Sequence, residues 1–352
     1  MLKYEPYLFP YRWNLADGYP NQTNGLKVFG TFVCGGGSTM GYKLAGYEHL
    51  GGVEIDKKVA AVYKLNHKPK FLYVQDIREF HKRMDLPAEL FDLDILDGSP
   101  PCSSFSMAGN REDDWGKEKK FAEGQALQTL DDLFFEFIKL ADKLQPKVIV
   151  AENVKGLIQG NAKSYVHKIK AELNKAGYEV QLFLLNAASM GVPQRRERVF
   201  FICQRNDLKL PKLKLSFNEK PIIFGEFIEK DLPNTLTQNQ QIIWDKRIES
   251  DTDFSDINIR LYNKNTAFGT AILHTYKIAR TIVASTGLIC SYEYPRSISD
   301  YELKLIGSFP MDYNFHNVKP QYLIGMSVPP VMTAQIANQI NIQWFNQINI
   351  TK

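Results

Sequence analysis

Cys102 lies in the run Ser99-Pro100-Pro101-Cys102-Ser103-Ser104-Phe105, just beyond the apolar stretch Leu93-Asp94-Ile95-Leu96. The two prolines stiffen the turn and remove backbone donors. A thiol held at a strand end is a candidate covalent nucleophile, because its thiolate is the reactive form and needs only a modest pKa drop. The competing reading of a lone cysteine is a buried, inert side chain. Glu152, in Ala151-Glu152-Asn153-Val154, ends another apolar run and offers a carboxyl as proton donor or as partner to a heterocycle. Gln194-Arg195-Arg196-Glu197-Arg198 precedes a third run and brings guanidinium groups suited to phosphate or base-oxygen recognition. Taken singly, Glu152 reads as a surface or capping acid and the arginines as a solvated face.

These groups need an element pattern that brings them to one edge. Strands are expected at 28–33, 49–54, 71–74, 93–96, 147–151, 180–185 and 199–203, alternating with helical stretches. That alternation argues for an α/β fold, a mostly parallel sheet with helices on both faces. Such sheets bind ligands at the carboxyl ends of their strands, so strand ends carrying Cys102 and Glu152 are expected to share a crevice. The polar stretch 106–124 reads as a functional loop. A helical face follows it, marked by Leu130, Leu133, Phe134, Phe137, Ile138, Ala141 and Leu144. After about 205 the alternation fades. Residues 206–278 read as a smaller, irregular, β-rich domain, and helical pattern returns at 299–308 and at the C-terminus. There Met332, Ile336, Ile340, Trp344 and Ile348 recur every four residues as a core-facing stripe. Residues 1–26 are an irregular, aromatic lead-in.

Gly35-Gly36-Gly37 follows the first strand and opens a helix, which leaves free N–H groups for an anion and space for close approach. Glu54 ends the second strand, where an acid can accept ribose hydroxyls, and Asp76, followed by Ile77, ends the third, where it can accept an adenine amine. Glycine, Glu and Asp at three consecutive strand ends suggest an adenosine-containing cofactor. The loop is not G-x-G-x-x-G and no phosphate-binding lysine follows it, which disfavours NAD and ATP.

The 352 residues carry a formal charge of +4, with 44% hydrophobic and 23% charged residues, an ordinary globular composition. No apolar run reaches the length of a membrane span. The start has no apolar secretory core, and the four cysteines form no CxxC. A cytoplasmic protein without disulfides or zinc is expected.

Together these residues resemble the C5-cytosine DNA methyltransferase family. The glycine turn with Gly41 and Ala45-Gly46-Tyr47 resembles its first motif, Ser99-Pro100-Pro101-Cys102 with Phe105-Ser106 the nucleophile motif, and Glu152-Asn153-Val154 the Glu-Asn-Val motif. Gln194–Arg198 after Val192-Pro193 resembles the arginine motif. Arg296, Glu302 and Ser308-Phe309-Pro310 resemble the motif that follows target recognition. Ile324-Gly325-Met326-Ser327-Val328-Pro329-Pro330 resembles the last cofactor motif. Six motifs in order cover 28–205 and 279–345. Two positions depart from the pattern: Cys34 stands where a glycine is usual, and Met326 where an Asn is usual.

The resemblance implies a Rossmann-like methyltransferase domain built from 27–205 and 279–352, with 206–278 as the target-recognition domain. It implies S-adenosylmethionine as cofactor, held by Phe32, Gly35, Gly36, Gly37, Glu54, Asp76, Ile77, Pro100 and Ser327. It implies base flipping in double-stranded DNA, with Cys102 adding to C6 of cytosine, Glu152 protonating N3, Arg198 holding O2, and Arg196 supporting the pocket or a phosphate. Residues 103–120 would close over the base. A monomer is expected, with a cognate restriction endonuclease as counterpart, in a restriction–modification or phage setting. A tRNA cytosine methyltransferase of the same fold is the nearest competing function, but its Cys-Phe-Thr signature is missing where Cys290 meets Ser291-Tyr292. A catalytically silent DNA-binding module and a nicotinamide oxidoreductase are more distant possibilities.

Overall fold

The computed structural model describes residues 4–20, 22–101, 132–159, 163–264, 266, 270–284 and 287–350. Cys102, the loop expected over 103–120, the polar stretch 106–124 and Leu130 lie outside the described residues.

Seven strands form the central sheet: β1 (Lys27–Thr31), β2 (Glu48–Glu54), β3 (Phe71–Val74), β4 (Ile95–Gly98), β5 (Val148–Val154), β6 (Tyr178–Asn186) and β8 (Glu197–Arg205). Their order is β3-β2-β1-β4-β5-β8-β6. β3, β2, β1, β4 and β5 pair in parallel, and only β8 runs against its neighbours. The short connection 187–196 cannot cross back over the sheet, so β6 and β8 pair antiparallel. Both faces are covered, and the strands accordingly read as apolar runs rather than alternating ones. One face packs α4 (Leu133–Leu144) and α5 (Lys163–Lys175) around Phe137, Ile169 and Phe201. The other packs α1 (Gly37–Leu44) and α10 (Pro330–Ile340) around Tyr42, Met332 and Ile336.

Two expected elements differ in position. β4 begins at Ile95 instead of Leu93, because buried Asp94 is occupied at the sheet's lower edge. It accepts the Lys27 backbone N–H at 2.7 Å and the Lys147 ammonium at 2.5 Å. The strand extends to Asp97 and Gly98, which pair with Gly30 and Thr31 of β1 and with Val150 and Ala151 of β5. β5 runs on through Glu152 to Val154, because β8 pairs with it that far.

The C-terminal stripe is helical with one adjustment. A four-residue repeat drifts about 40° per step on a regular α-helix. A wider π-helical turn at Asn341–Phe345 offsets the drift, and Trp344 is fully buried. Its indole N–H donates to the Pro211 carbonyl at 2.8 Å.

Residues 206–278 are irregular, as expected. Their regular structure is chiefly two helices, α6 (Gln238–Trp244) and α7 (Phe254–Tyr262), each opened by a side-chain cap from Thr237 or Asp253. The β content is slight: β9 (Ala271–Leu273) pairs with β11 (Ile289–Ser291), and β10 (Ala279–Arg280) with β7 (Gln194–Arg195). Polar caps and frequent Asn, Asp and Thr favour such short helices over long strands. Trp244, Phe254, Ile257, Ile272 and Cys290 form a separate small core. Leu213, Ile222 and Phe224 pack instead into the cores of the main body.

The lead-in is docked. Trp13 is buried and donates to the Ser308 carbonyl at 3.0 Å, and Asp312 accepts the N–H groups of Leu15 and Ala16. Among the described residues no helix is long and apolar enough to cross a membrane.

Arg296 ties the 206–278 segment, at Glu229, to Glu302 in the main body. Its guanidinium meets both carboxylate oxygens of Glu302 at 2.7 and 2.8 Å, and it also bonds the carbonyls of Ser297 and Glu229. The side chains are 1% and 0% exposed. Removing one partner leaves the other as an unpaired buried charge. Arg296→Met should cost about 3–5 kcal/mol in urea unfolding, and Arg296→Lys should not restore it, because a lysine cannot replace the two-pronged contact. A loss below about 1 kcal/mol would show that the pair is not structurally required.

Candidate active site

The sheet grows in opposite directions from the β1–β4 pair, so the crevice between these strands is left uncovered at their carboxyl ends. Two hollows open there. One is lined by Phe32, Val33, Cys34, Gly37, Ser38, Thr39, Asp97, Ser99, Met326, Ser327 and Val328. The other is an apolar slot between Phe32, Val53, Ile55, Gln75, Asp76, Ile77, Pro101 and Leu133. Phe32 borders both.

The glycine turn is shaped by protein packing. Gly36 has φ +77°, and a Cβ there would sit 2.1 Å from the His67 ring. A Cβ on Gly37 would sit 2.1 Å from the Val328 carbonyl. The room that glycine saves at these two positions is taken by protein rather than by the hollow. The Gly35 carbonyl accepts from Tyr313 Oη at 2.6 Å and lies 3.0 Å from His67 Nε2. Burial pushes the His67 imidazole down to about 3, so it stays neutral beside the turn.

Cys34 adopts the left-handed region at φ +46°, as does Phe32 at +53°, a strained backbone for residues with a Cβ. The turn is nonetheless held: Glu54 accepts the Cys34 N–H at 2.9 Å with one oxygen and the Asp56 N–H at 2.9 Å with the other. Glu54 is buried, which raises its pKa against these N–H donors. Burial, and then the nearby Glu54, push the Cys34 thiol up to about 12, so it is no nucleophile at neutral pH. Asp76 caps α3 (Ile77–Phe80), accepting the Arg78 N–H at 2.8 Å, and pairs with the Arg78 guanidinium at 3.1 Å. Ser327 is buried, donating to the Leu323 carbonyl at 2.8 Å, while neighbouring Met326 is exposed.

Beside this crevice, β4 and β5 are adjacent and parallel. Arg198 Nε meets Glu152 Oε1 at 2.8 Å across the β5–β8 pair, with side chains 14% and 13% exposed. Asn153 Nδ2, buried, donates to the Pro100 carbonyl at 3.1 Å and so ties the Pro-Pro turn to β5. Glu152, Arg198, Pro100 and the glycine turn are thus brought to one rim.

Of the two roles expected for Arg196, support of the pocket or a phosphate contact, its placement excludes the second. It is 2% exposed and donates to the Ile282 carbonyl at 3.0 Å and the Gly325 carbonyl at 2.9 Å. Burial, then neighbouring Arg198, lowers its pKa. Enclosed among these carbonyls, it braces the chain behind the pocket and cannot reach a phosphate. Exposed Arg195 lies on a different cleft, shared with Thr252, His274, Lys277 and Arg280. Sequence reasoning misses two residues of the site. Asn153 is hidden within its motif, where nothing marks it as the tie to Pro100. Asp97 is signalled only by its being a charge that closes the apolar run 93–96.

The family model described as C-5 cytosine-specific DNA methylase matches residues 26–342. The chain belongs to that family. Among curated relatives, the Type II methyltransferase M.NgoMIV of Neisseria gonorrhoeae is 30% identical over 87% of this chain and 94% of its own. M.NgoPII of the same organism is 34% identical over 66% of this chain, and the match spans 60% of that relative's length; for M.FnuDI of Fusobacterium nucleatum it spans 51%. Among solved structures, a mutant of Spodoptera frugiperda DNMT2 superposes with TM-score 0.61 at 17% identity, over 90% of this chain and 99% of that one. This last likeness shows the fold alone. The site fits an adenosine ligand carrying positive charge: an apolar slot suits a planar base, and Asp97 places a carboxyl in the other hollow.

Gly36→Ala should cost more than about 2 kcal/mol, because the left-handed backbone and the His67 contact both oppose it. Gly177→Ala, at φ +94° with nothing within 4 Å, should cost only the backbone share, about 1–2 kcal/mol. Denaturant midpoints compare the two; equal losses would mean that the His67 packing contributes nothing.

Proposed function

We propose that this chain is a DNA (cytosine-5)-methyltransferase of restriction–modification or phage type, using S-adenosylmethionine on double-stranded DNA. The observation that supports it most is the Glu152–Arg198 pair beside the Pro100 turn, two residues from Cys102. The target cytosine leaves the stack, at a cost of a few kcal/mol. Cys102 is the thiolate that adds to C6. Glu152 holds N3 and gives it a proton, so the charge that develops on the ring is neutralised. Arg198 divides its donors between Glu152 and the base O2. Arg196 positions Arg198 by bracing β8 against residues 282 and 325.

The cofactor, when bound, supplies an electrophilic methyl group. Phe32, Ile77 and Pro100 with its neighbour Pro101 would hold its base, Glu54 and Asp76 its ribose and amine, and Gly35, Gly36, Gly37 and Ser327 its amino-acid end. The C5 proton then passes to water, its bonding electrons restore the C5–C6 double bond, the C6–S bond breaks to return Cys102 as thiolate, and N3 gives its proton back to Glu152.

Residues 206–278 read the DNA sequence, with the small core around Trp244 and Ile257 as the support for base-reading loops. Exposed Arg195, Lys277 and Arg280 share one cleft and suit backbone phosphates, which position without specifying. One cofactor and one flipped base need one crevice, so a cytoplasmic monomer suffices, with a cognate restriction endonuclease as counterpart.

Sequencing methylated cytosines in DNA from cells expressing the chain gives the recognition site. A duplex of that sequence carrying 5-fluorocytosine should then form a covalent adduct with the unaltered enzyme and none with Cys102→Ser; a surviving adduct removes Cys102 from the mechanism. Glu152→Gln should lower methylation by roughly 10²–10⁴-fold while the 5-fluorocytosine duplex still binds.

A further inference from the structure

Asp97 is a charged group of the crevice to which the proposed chemistry gives no task. It is 7% exposed and stands at the carboxyl end of β4, at the point where the sheet reverses its growth. It lines the hollow together with Ser38, Ser99 and Ser327. Its partners are neutral: Tyr42 Oη donates to Oδ1 at 3.1 Å, and the Ser38 hydroxyl bonds the same carboxyl. The titratable groups that act on it are Tyr42 from α1, Tyr63 from α2 (Lys57–His67) and Glu152 from β5. No lysine, arginine or histidine pairs with it among the described residues. Other buried carboxylates near the sheet are compensated: Glu54 by two backbone N–H groups, Asp94 by Lys147, and Glu302 by Arg296.

A carboxylate desolvated beside hydroxyls alone is costly unless a cation arrives. We propose that Asp97 is the binding residue for the α-ammonium group of the cofactor's amino-acid end, and that it selects adenosine ligands that carry that ammonium. The inference rests on the proposed use of S-adenosylmethionine. The hollow that Asp97 lines is where Gly37, Ser38 and Ser327 converge, so an amino acid seated there brings its ammonium against the carboxyl. The pairing needs ionised Asp97, whose pKa burial raises to about 7, with Glu152 adding to the rise and the Tyr42 and Ser38 hydroxyls opposing it. An acid with a raised pKa becomes neutral as pH falls through that value, so affinity for the ammonium weakens on acidification.

Isothermal calorimetry on the full chain tests this with three ligands. S-adenosylmethionine and S-adenosylhomocysteine carry the ammonium, only the first carries a sulfonium, and 5′-methylthioadenosine carries neither. Asp97→Asn should weaken the first two alike, by about 10- to 100-fold, the range of a charge-assisted hydrogen bond. It should leave 5′-methylthioadenosine unchanged, which also shows that the variant is folded. Between pH 7.5 and 6.0 the unaltered protein should lose about eightfold in affinity for S-adenosylhomocysteine, and Asp97→Asn should show no such slope. Unchanged S-adenosylhomocysteine affinity in the variant, equal loss for all three ligands, loss for S-adenosylmethionine alone, or the same pH slope in both proteins would overturn the proposal. Failure of the unaltered protein to bind any of the three sinks the cofactor assignment itself, and this inference with it.

Discussion

The reversal of sheet growth at the β1–β4 pair is the constraint from which the site follows. β1 leads outward through β2 to β3, and β4 leads the other way to β5 and β8. Helices that follow β1 and β4 are therefore sent to opposite faces, and the ends of the two strands stay open between them. The glycine turn, Asp97 and Ser99 lie at that opening because they are the residues that β1 and β4 deliver there. Glu152 lies one strand further on, because β5 must pair beside β4. Neither the hollow nor its neighbours require a loop of special length.

The protein buries several charged groups, at this opening and away from it. Most of them are internally compensated. Arg196 faces two carbonyls, Arg296 a carboxylate and two carbonyls, and Glu54 two backbone N–H groups. Such groups fix geometry more than they add stability, since their desolvation offsets much of their attraction. Arg196 and Arg198 show how finely the approach to β8 divides such work. Two residues apart, one is sealed among carbonyls behind the pocket, and the other meets Glu152 at the rim. The left-handed Phe32 and Cys34 add backbone strain at the same place, held by the Glu54 carboxylate.

Much of the fold was legible along the chain, because buried parallel strands and amphipathic helices leave direct periodic signals. The strand Phe71–Val74 and the helices around Val59 and Ile169 needed no correction. The misplacements had local causes that periodicity does not carry: Asp94 held at the lower edge delays β4, and β8 prolongs β5. In residues 206–278 the short apolar runs suggested strands, but capping by Thr237 and Asp253 starts helices there instead. The four-residue stripe to Ile348 needed a π-helical turn, which no single window of sequence announces.

The sequence by itself determined the class of sheet, because apolar runs alternating with amphipathic stretches are translated by local forces directly into strands and helices. Its ordered motifs carried the resemblance to the family, and with it the interest of Glu152, Arg198 and the glycine turn. Only the tertiary structure decided that Arg196 is a brace, that the glycines admit His67 and Val328, and that Asp97 is a buried carboxyl facing no cation among the described residues. Burial and pairing are set by elements far apart in the chain, whose approach is a matter of packing and leaves no mark on the neighbouring residues.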